Sequence, residues 1–86
     1  MVKVTIFMKL KLGVGQRVIR ELSAIPQIKE IYFITGEYDL VIMVETKDGE
    51  ELEHIYTEKI EKIEGITSSN SHLIMTHWKQ SDSHPV

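Results

Sequence analysis

Residues 28–45 read Ile-Lys-Glu-Ile-Tyr-Phe-Ile-Thr-Gly-Glu-Tyr-Asp-Leu-Val-Ile-Met-Val-Glu. β-Branched and aromatic residues crowd Ile28–Thr35 and again Tyr38–Glu45, with Gly36 between them. That pattern predicts two strands joined by a short hairpin, since such side chains suit a pleated surface and glycine suits a tight turn. Upstream, Val2, Val4, Ile6, Met8, Leu10 and Leu12 alternate with Lys3, Thr5, Phe7, Lys9 and Lys11. A period of two predicts a half-buried first strand, broken by Gly13 and Gly15. From Gln16 the spacing of Val18, Ile19, Leu22 and Ile25 is helical, and Pro26 closes the segment. Downstream, Asp48 with Glu51 forms a capping-box pattern ahead of a stripe of Leu52, Ile55, Tyr56, Ile60 and Ile63. Gly65 suits the left-handed position after a helix. Ile66 to Trp78 returns to extended structure.

The resulting order is βαββαβ with helices of roughly 10–15 residues. Four antiparallel strands with two helices on one face give an α+β, ferredoxin-like sandwich, expected in sheet order 4-1-3-2. Residues 1–78 form the expected domain, and 79–86 a loose polar tail. Leu40–Val44 is apolar on both faces of the third strand, and helices cover only one. The other face also carries Phe7 and either Phe33 or Tyr32, an apolar patch that a second copy packed sheet to sheet would cover.

Bulk composition narrows the function. The chain has 86 residues, with 42% apolar and 27% charged, as expected of one small globular domain. At this size only ~60–65% of the unfolded surface is hidden, so a partner surface helps. Net charge is −3 and the isoelectric point about 5.8, which disfavours direct DNA binding. The absence of cysteine excludes disulfides, thiolate nucleophiles and iron–sulfur ligation. Lysines interrupt the apolar N-terminus and no apolar run reaches membrane-spanning length, so the expected location is the cytoplasm.

The stretch Ile25-Pro26-Gln27-Ile28, then Tyr32-Phe33-Ile34-Thr35-Gly36-Glu37-Tyr38-Asp39-Leu40, resembles the core of the ligand-binding domain of Lrp/AsnC transcriptional regulators. The likeness continues through Asp48, the helix to Ile63, and Glu64-Gly65-Ile66, where the family usually has Pro-Gly-Val. With no helix-turn-helix ahead of the first strand, the chain is expected to be the stand-alone form, sometimes called a RAM module. The resemblance implies an amino-acid effector held at a junction between dimers, homodimers closing into a ring, and possible partnership with a full-length regulator. It places Gly36, Asp39, Gly49, His72, Leu73 and Ile74 at positions where the family lines its effector site.

A zwitterion needs an acceptor for its ammonium and donors for its carboxylate. Asp39 offers the acceptor and the Gly36 turn free backbone N–H groups, with Tyr38 alongside; Ser69, Ser71 and His72 add hydroxyl and imidazole partners. Each has a plainer reading. Gly36 suits a bare turn, Asp39 an Asx-turn, Tyr38 a half-buried strand position, and Ser69 and Ser71 a solvated edge. Asp48 is assigned to helix capping. No catalytic residue, cofactor or metal is expected: His72 and His77 differ by an odd number, and on a regular strand they face opposite ways. The readings left open are an ACT-like amino-acid-binding domain, with its site near Gly13-Val14-Gly15, and a small dimeric α/β-barrel enzyme such as a cofactor-free monooxygenase. An RNA-binding RRM is disfavoured, because Leu40–Val44 lacks the aromatics it requires.

Overall fold

The computed structural model describes residues 1–80. Its elements are β1 (Val2–Leu10), α1 (Gly15–Ser23), β2 (Ile28–Phe33), β3 (Leu40–Thr46), α2 (Gly49–Ile55), a π-helical turn (Tyr56–Ile60) and β4 (Ile66–Leu73). The strands form one antiparallel sheet in the order β2-β3-β1-β4. This is the expected ferredoxin-like arrangement.

Alternation decides which side is buried. Val4, Ile6 and Met8 of β1 pair with Val44, Ile42 and Leu40 of β3, and all six are buried beneath the helices. Val18 and Leu22 of α1 and Ile55 of α2 close over them. Each such side chain contributes roughly 1.5–3 kcal/mol by leaving water. Thr5, Phe7, Val41 and Met43 point to the other side, which no helix or strand among the described residues covers; Ile74 and Thr76–Trp78 share a cleft with Met43 at its edge. On β2 the structure selects Tyr32 for that open side, since Tyr32 pairs with Val41. Phe33 pairs with Leu40 and lies against Gly15 on the helix side.

Several boundaries differ from expectation, each for a physical reason. The first strand stops at Leu10, not Leu12: its register with β4 shifts between Lys9 and Leu10, and the chain then turns at Gly13. Leu12 is fully exposed. The second strand ends at Phe33 and the third begins at Leu40. The Ile34 N–H donates to the Asp39 carbonyl at 3.0 Å, which leaves Thr35–Tyr38 as a loop. The last strand ends at Leu73, not Trp78. Leu73 pairs with Val4, so β1 has almost no partner left to offer beyond it; only the Ile74 N–H still reaches the Lys3 carbonyl.

The first helix is slightly shorter than expected, and the second reaches the expected length by running on into a π turn. α1 has 9 residues and α2 has 7. Asp48 caps α2 by accepting the Glu51 N–H, and Glu51 reaches back to the Lys47 N–H, both at 2.8 Å. After Ile55 the helix widens into the π turn, in which the Glu61 N–H donates to the Tyr56 carbonyl. Ile55 and Ile60 stand five residues apart and both reach the core, a spacing that an α-turn would rotate out of line. Gly65, at φ +106°, then turns the chain into β4. Of the expected tail, Ser81–Val86 lie outside the described residues.

Candidate functional site

The residues singled out in the sequence fall on both sides of the sheet. Ser69, Ser71 and Leu73 pair with Met8, Ile6 and Val4, which places them on the helix side of the edge strand β4. His72 pairs with Thr5 and lies on the open side. Ile74 follows on that side, lining a cleft with Lys3, Met43 and Glu45.

On the helix side a groove of about 310 Å³ runs between α2 and β4. Val4 and Ile6 form its floor, with Gly49, Leu52, Glu53 and Tyr56 on one bank and Ser71 on the other. Gly49 and Ser71, both singled out in the sequence, thus line one groove. Their neighbours Leu52, Glu53 and Tyr56 were not foreseen: Leu52 and Tyr56 read as core stripe, and Glu53 lies outside that stripe. One signal was available. A tyrosine in an apolar stripe needs a partner for its hydroxyl, and the serines of β4 alternate at the right period to provide one. Tyr56 Oη hydrogen bonds Ser69 Oγ.

The hairpin residues do not reach this groove. Asp39 closes the far end of the sheet: its N–H donates to the Met8 carbonyl, and its carboxylate accepts the Leu10 N–H at 2.8 Å. The groove floor lies at Val4 and Ile6, two to four residues further down β1, which is roughly 7–13 Å. Gly36 stands in the loop at φ +110°. The Tyr38 ring turns to the open side and packs against Phe7, with ring centres 5.6 Å apart. Phe7 in turn meets His72 edge-on at 5.6 Å. The Asn70 amide donates to Tyr38 Oη at 3.2 Å, and Lys9 Nζ sits 5.7 Å from the ring centre. The open side thus carries an aromatic cluster around Phe7, and the helix side carries a hydroxyl-rimmed apolar groove. Among the described residues no helix is long and apolar enough to cross a membrane.

A profile of the Lrp/AsnC ligand binding domain matches residues 3–83. The chain belongs to this family. Its curated relatives are mainly transcriptional regulators. The HTH-type transcriptional regulator FL11 of Pyrococcus furiosus is 32% identical over 81 residues, which is 94% of this chain and 53% of that protein. The chain thus spans about half the length of the FL11 regulators it matches. A homocitrate synthase of Sulfurisphaera tokodaii is 41% identical over 58 residues, 67% of this chain but only 12% of the enzyme. Among solved structures, FFRP-DM1 superposes with a TM-score of 0.84 at 36% identity, covering 87% of this chain and 100% of that one. The Lrp/AsnC ligand-binding domain is thus found here in the same βαββαβ arrangement that the residue pattern predicts.

Proposed function

We propose that this Lrp/AsnC domain binds a small α-amino acid and self-associates, and that it performs no chemistry of its own. The observation that carries this reading is the groove between α2 and β4. The Glu53 carboxylate is an acceptor for an ammonium group, the Tyr56 and Ser71 hydroxyls offer further hydrogen bonds, and Val4, Ile6 and Leu52 make an apolar floor for a side chain. Gly36, Tyr38, Asp39, His72 and Ile74 lie too far away, or on the wrong side, to complete that site within one chain. In this reading they belong to the contacts between copies, and the hairpin completes the effector site of a neighbouring dimer.

Self-association is supported by the open face, where Phe7, Val41 and Tyr32 present apolar surface that no helix among the described residues covers, with Met43 beside Ile74 and Thr76–Trp78 at its edge. A second copy packed sheet to sheet covers it, and dimers then assemble further into a ring. A full-length regulator of the same family is a partner of the same chemistry. Direct DNA binding is not part of the reading, given the net charge of −3.

The test is a thermal-denaturation screen against the twenty protein amino acids, paired with light scattering. A ligand that binds only the folded state raises the melting temperature in proportion to the logarithm of its concentration. At least one amino acid is expected to do so, and a dimer or larger species is expected at micromolar protein. Silence across the whole panel from a folded, oligomeric chain rejects the amino-acid effector.

A further inference from the structure

Tyr56 stands at the boundary between two clefts. Below it lies the groove floored by Val4 and Ile6. Above it, along the same bank of β4, lies a second cleft of about 220 Å³ lined by Ile60, Glu61, Ile66, Thr67 and Ser68. Among the described residues Tyr56 alone lines both. Its hydroxyl is tied across to Ser69 of β4, so ring and hydrogen bond together form a bar from the helix to the strand. The bar sits where the helix changes pitch, because Tyr56 opens the π turn and its carbonyl accepts the Glu61 N–H. Single π turns inside α-helices recur at functional sites.

The two clefts differ in chemistry. The lower one is mostly apolar, with Glu53 and Ser71 at its rim. The upper one offers the Glu61 carboxylate and the Thr67 hydroxyl, the latter donating to the Lys9 carbonyl at 3.2 Å. Ser71 and Ser69 are two residues apart on one strand face, a step of roughly 6.6 Å. A side chain bound with its α-carbon near Ser71 extends past the bar into the upper cleft only when it is long.

We propose that the upper cleft is a subsite for the polar end of a long amino-acid side chain, and that the Tyr56–Ser69 contact closes it, so that the native domain selects short side chains. This rests on the amino-acid reading above and adds to it a determinant of ligand length. A lysine-like or arginine-like side chain carries N–H donors for the Glu61 carboxylate and the Thr67 hydroxyl oxygen; that of valine carries none.

The test is calorimetric titration of the full chain with L-alanine, L-valine, L-glutamine and L-arginine, for the wild type, Ser69→Ala and Tyr56→Ala. Ser69→Ala releases the hydroxyl without removing the ring, and keeps the test alive should Tyr56→Ala fold poorly. The wild type is expected to bind L-valine at least about tenfold tighter than L-arginine, the scale on which pockets discriminate by size. The ratio is expected to shrink in Ser69→Ala and to reverse in Tyr56→Ala. Amide resonances of Glu61 and Ser68 are expected to shift with L-arginine only in the variants. A wild type that already binds L-arginine as tightly as L-valine overturns the proposal, as does an unchanged ratio in folded variants. Failure of the wild type to bind any amino acid instead rejects the effector reading itself, and the subsite with it.

Discussion

The carboxylate of Asp39 accepts the backbone N–H of Leu10 at 2.8 Å, across 29 residues of sequence. Leu10 is the last residue of β1, so its amide would otherwise lack a ladder partner on that side. Asp39→Ala is expected to remove a charge-assisted hydrogen bond and lower stability by about 1–2 kcal/mol. Asp39→Asn keeps an acceptor oxygen and is expected to lose less. Urea denaturation of the three proteins measures this, and amino-acid titration of the same samples separates stability from binding. Full stability of Asp39→Ala, with lost ligand response, would return this carboxylate to the ligand.

Gly65 and Gly36 form a matched pair for testing backbone strain. Both have positive φ, +106° and +110°. A Cβ on Gly36 meets open space, whereas one on Gly65 lies 2.9 Å from Val14 Cγ2 and 3.0 Å from Arg17 Nη2. Gly36→Ala is expected to cost about 1–3 kcal/mol from conformation alone. Gly65→Ala is expected to cost more, since Arg17 must also leave the Glu64 carbonyl it binds at 2.7 Å. Equal melting temperatures for the two variants would contradict this.

The open sheet face offers a direct test of self-association. Met43 lies near its centre, pairing with Thr5 and Glu30. Met43→Glu places a charge where a second copy is expected to pack, beside Glu30. Such a central substitution is expected to weaken the dimer about thirtyfold or more. Light scattering across a dilution series reads the change, and an unaltered dissociation curve would move the contact elsewhere.

Tyr32 supplies the pH prediction. Its phenol donates to Glu30 at 2.8 Å, and that hydrogen bond, then the charge of Glu30, raise its pKa above the ordinary tyrosine value of about 10. The neutral phenol is the favoured form. Its contribution is therefore present below the unfolded pKa and lost as pH rises through the folded one. Glu30→Gln is expected to bring the tyrosinate absorbance transition to lower pH, and no movement would show that Glu30 does not hold this proton.

Fold legibility was uneven for identifiable reasons. The alternation in β1 and the apolar run of Leu40–Val44 required a layered sheet, and the Asp48–Glu51 cap marked a helix start within a residue. Strand ends were harder to place, because they depend on what a partner strand still offers: Leu12 continues the alternation but has no ladder to join. The site was legible as residue types and not as an arrangement. Period two separates Ser69 and Ser71 from His72, yet which of the two sides meets the helices is set by pairing with β1. Tyr38 continues the strand pattern in sequence, and only the loop closed by Ile34 and Asp39 sends its ring to Phe7.

Ser71 and His72 are consecutive, and β4 is an edge strand held on one flank only. Ser71 faces the groove beside α2, and the His72 ring stands against Phe7 on the opposite surface. Whatever settles in the groove therefore presses on the same ribbon of backbone that carries the aromatic cluster. The two surfaces are separated by the thickness of a single chain, and a tilt of that ribbon moves both at once. A sheet this thin ties the shape of the groove to the shape of the aromatic face without any relay of side chains through the core.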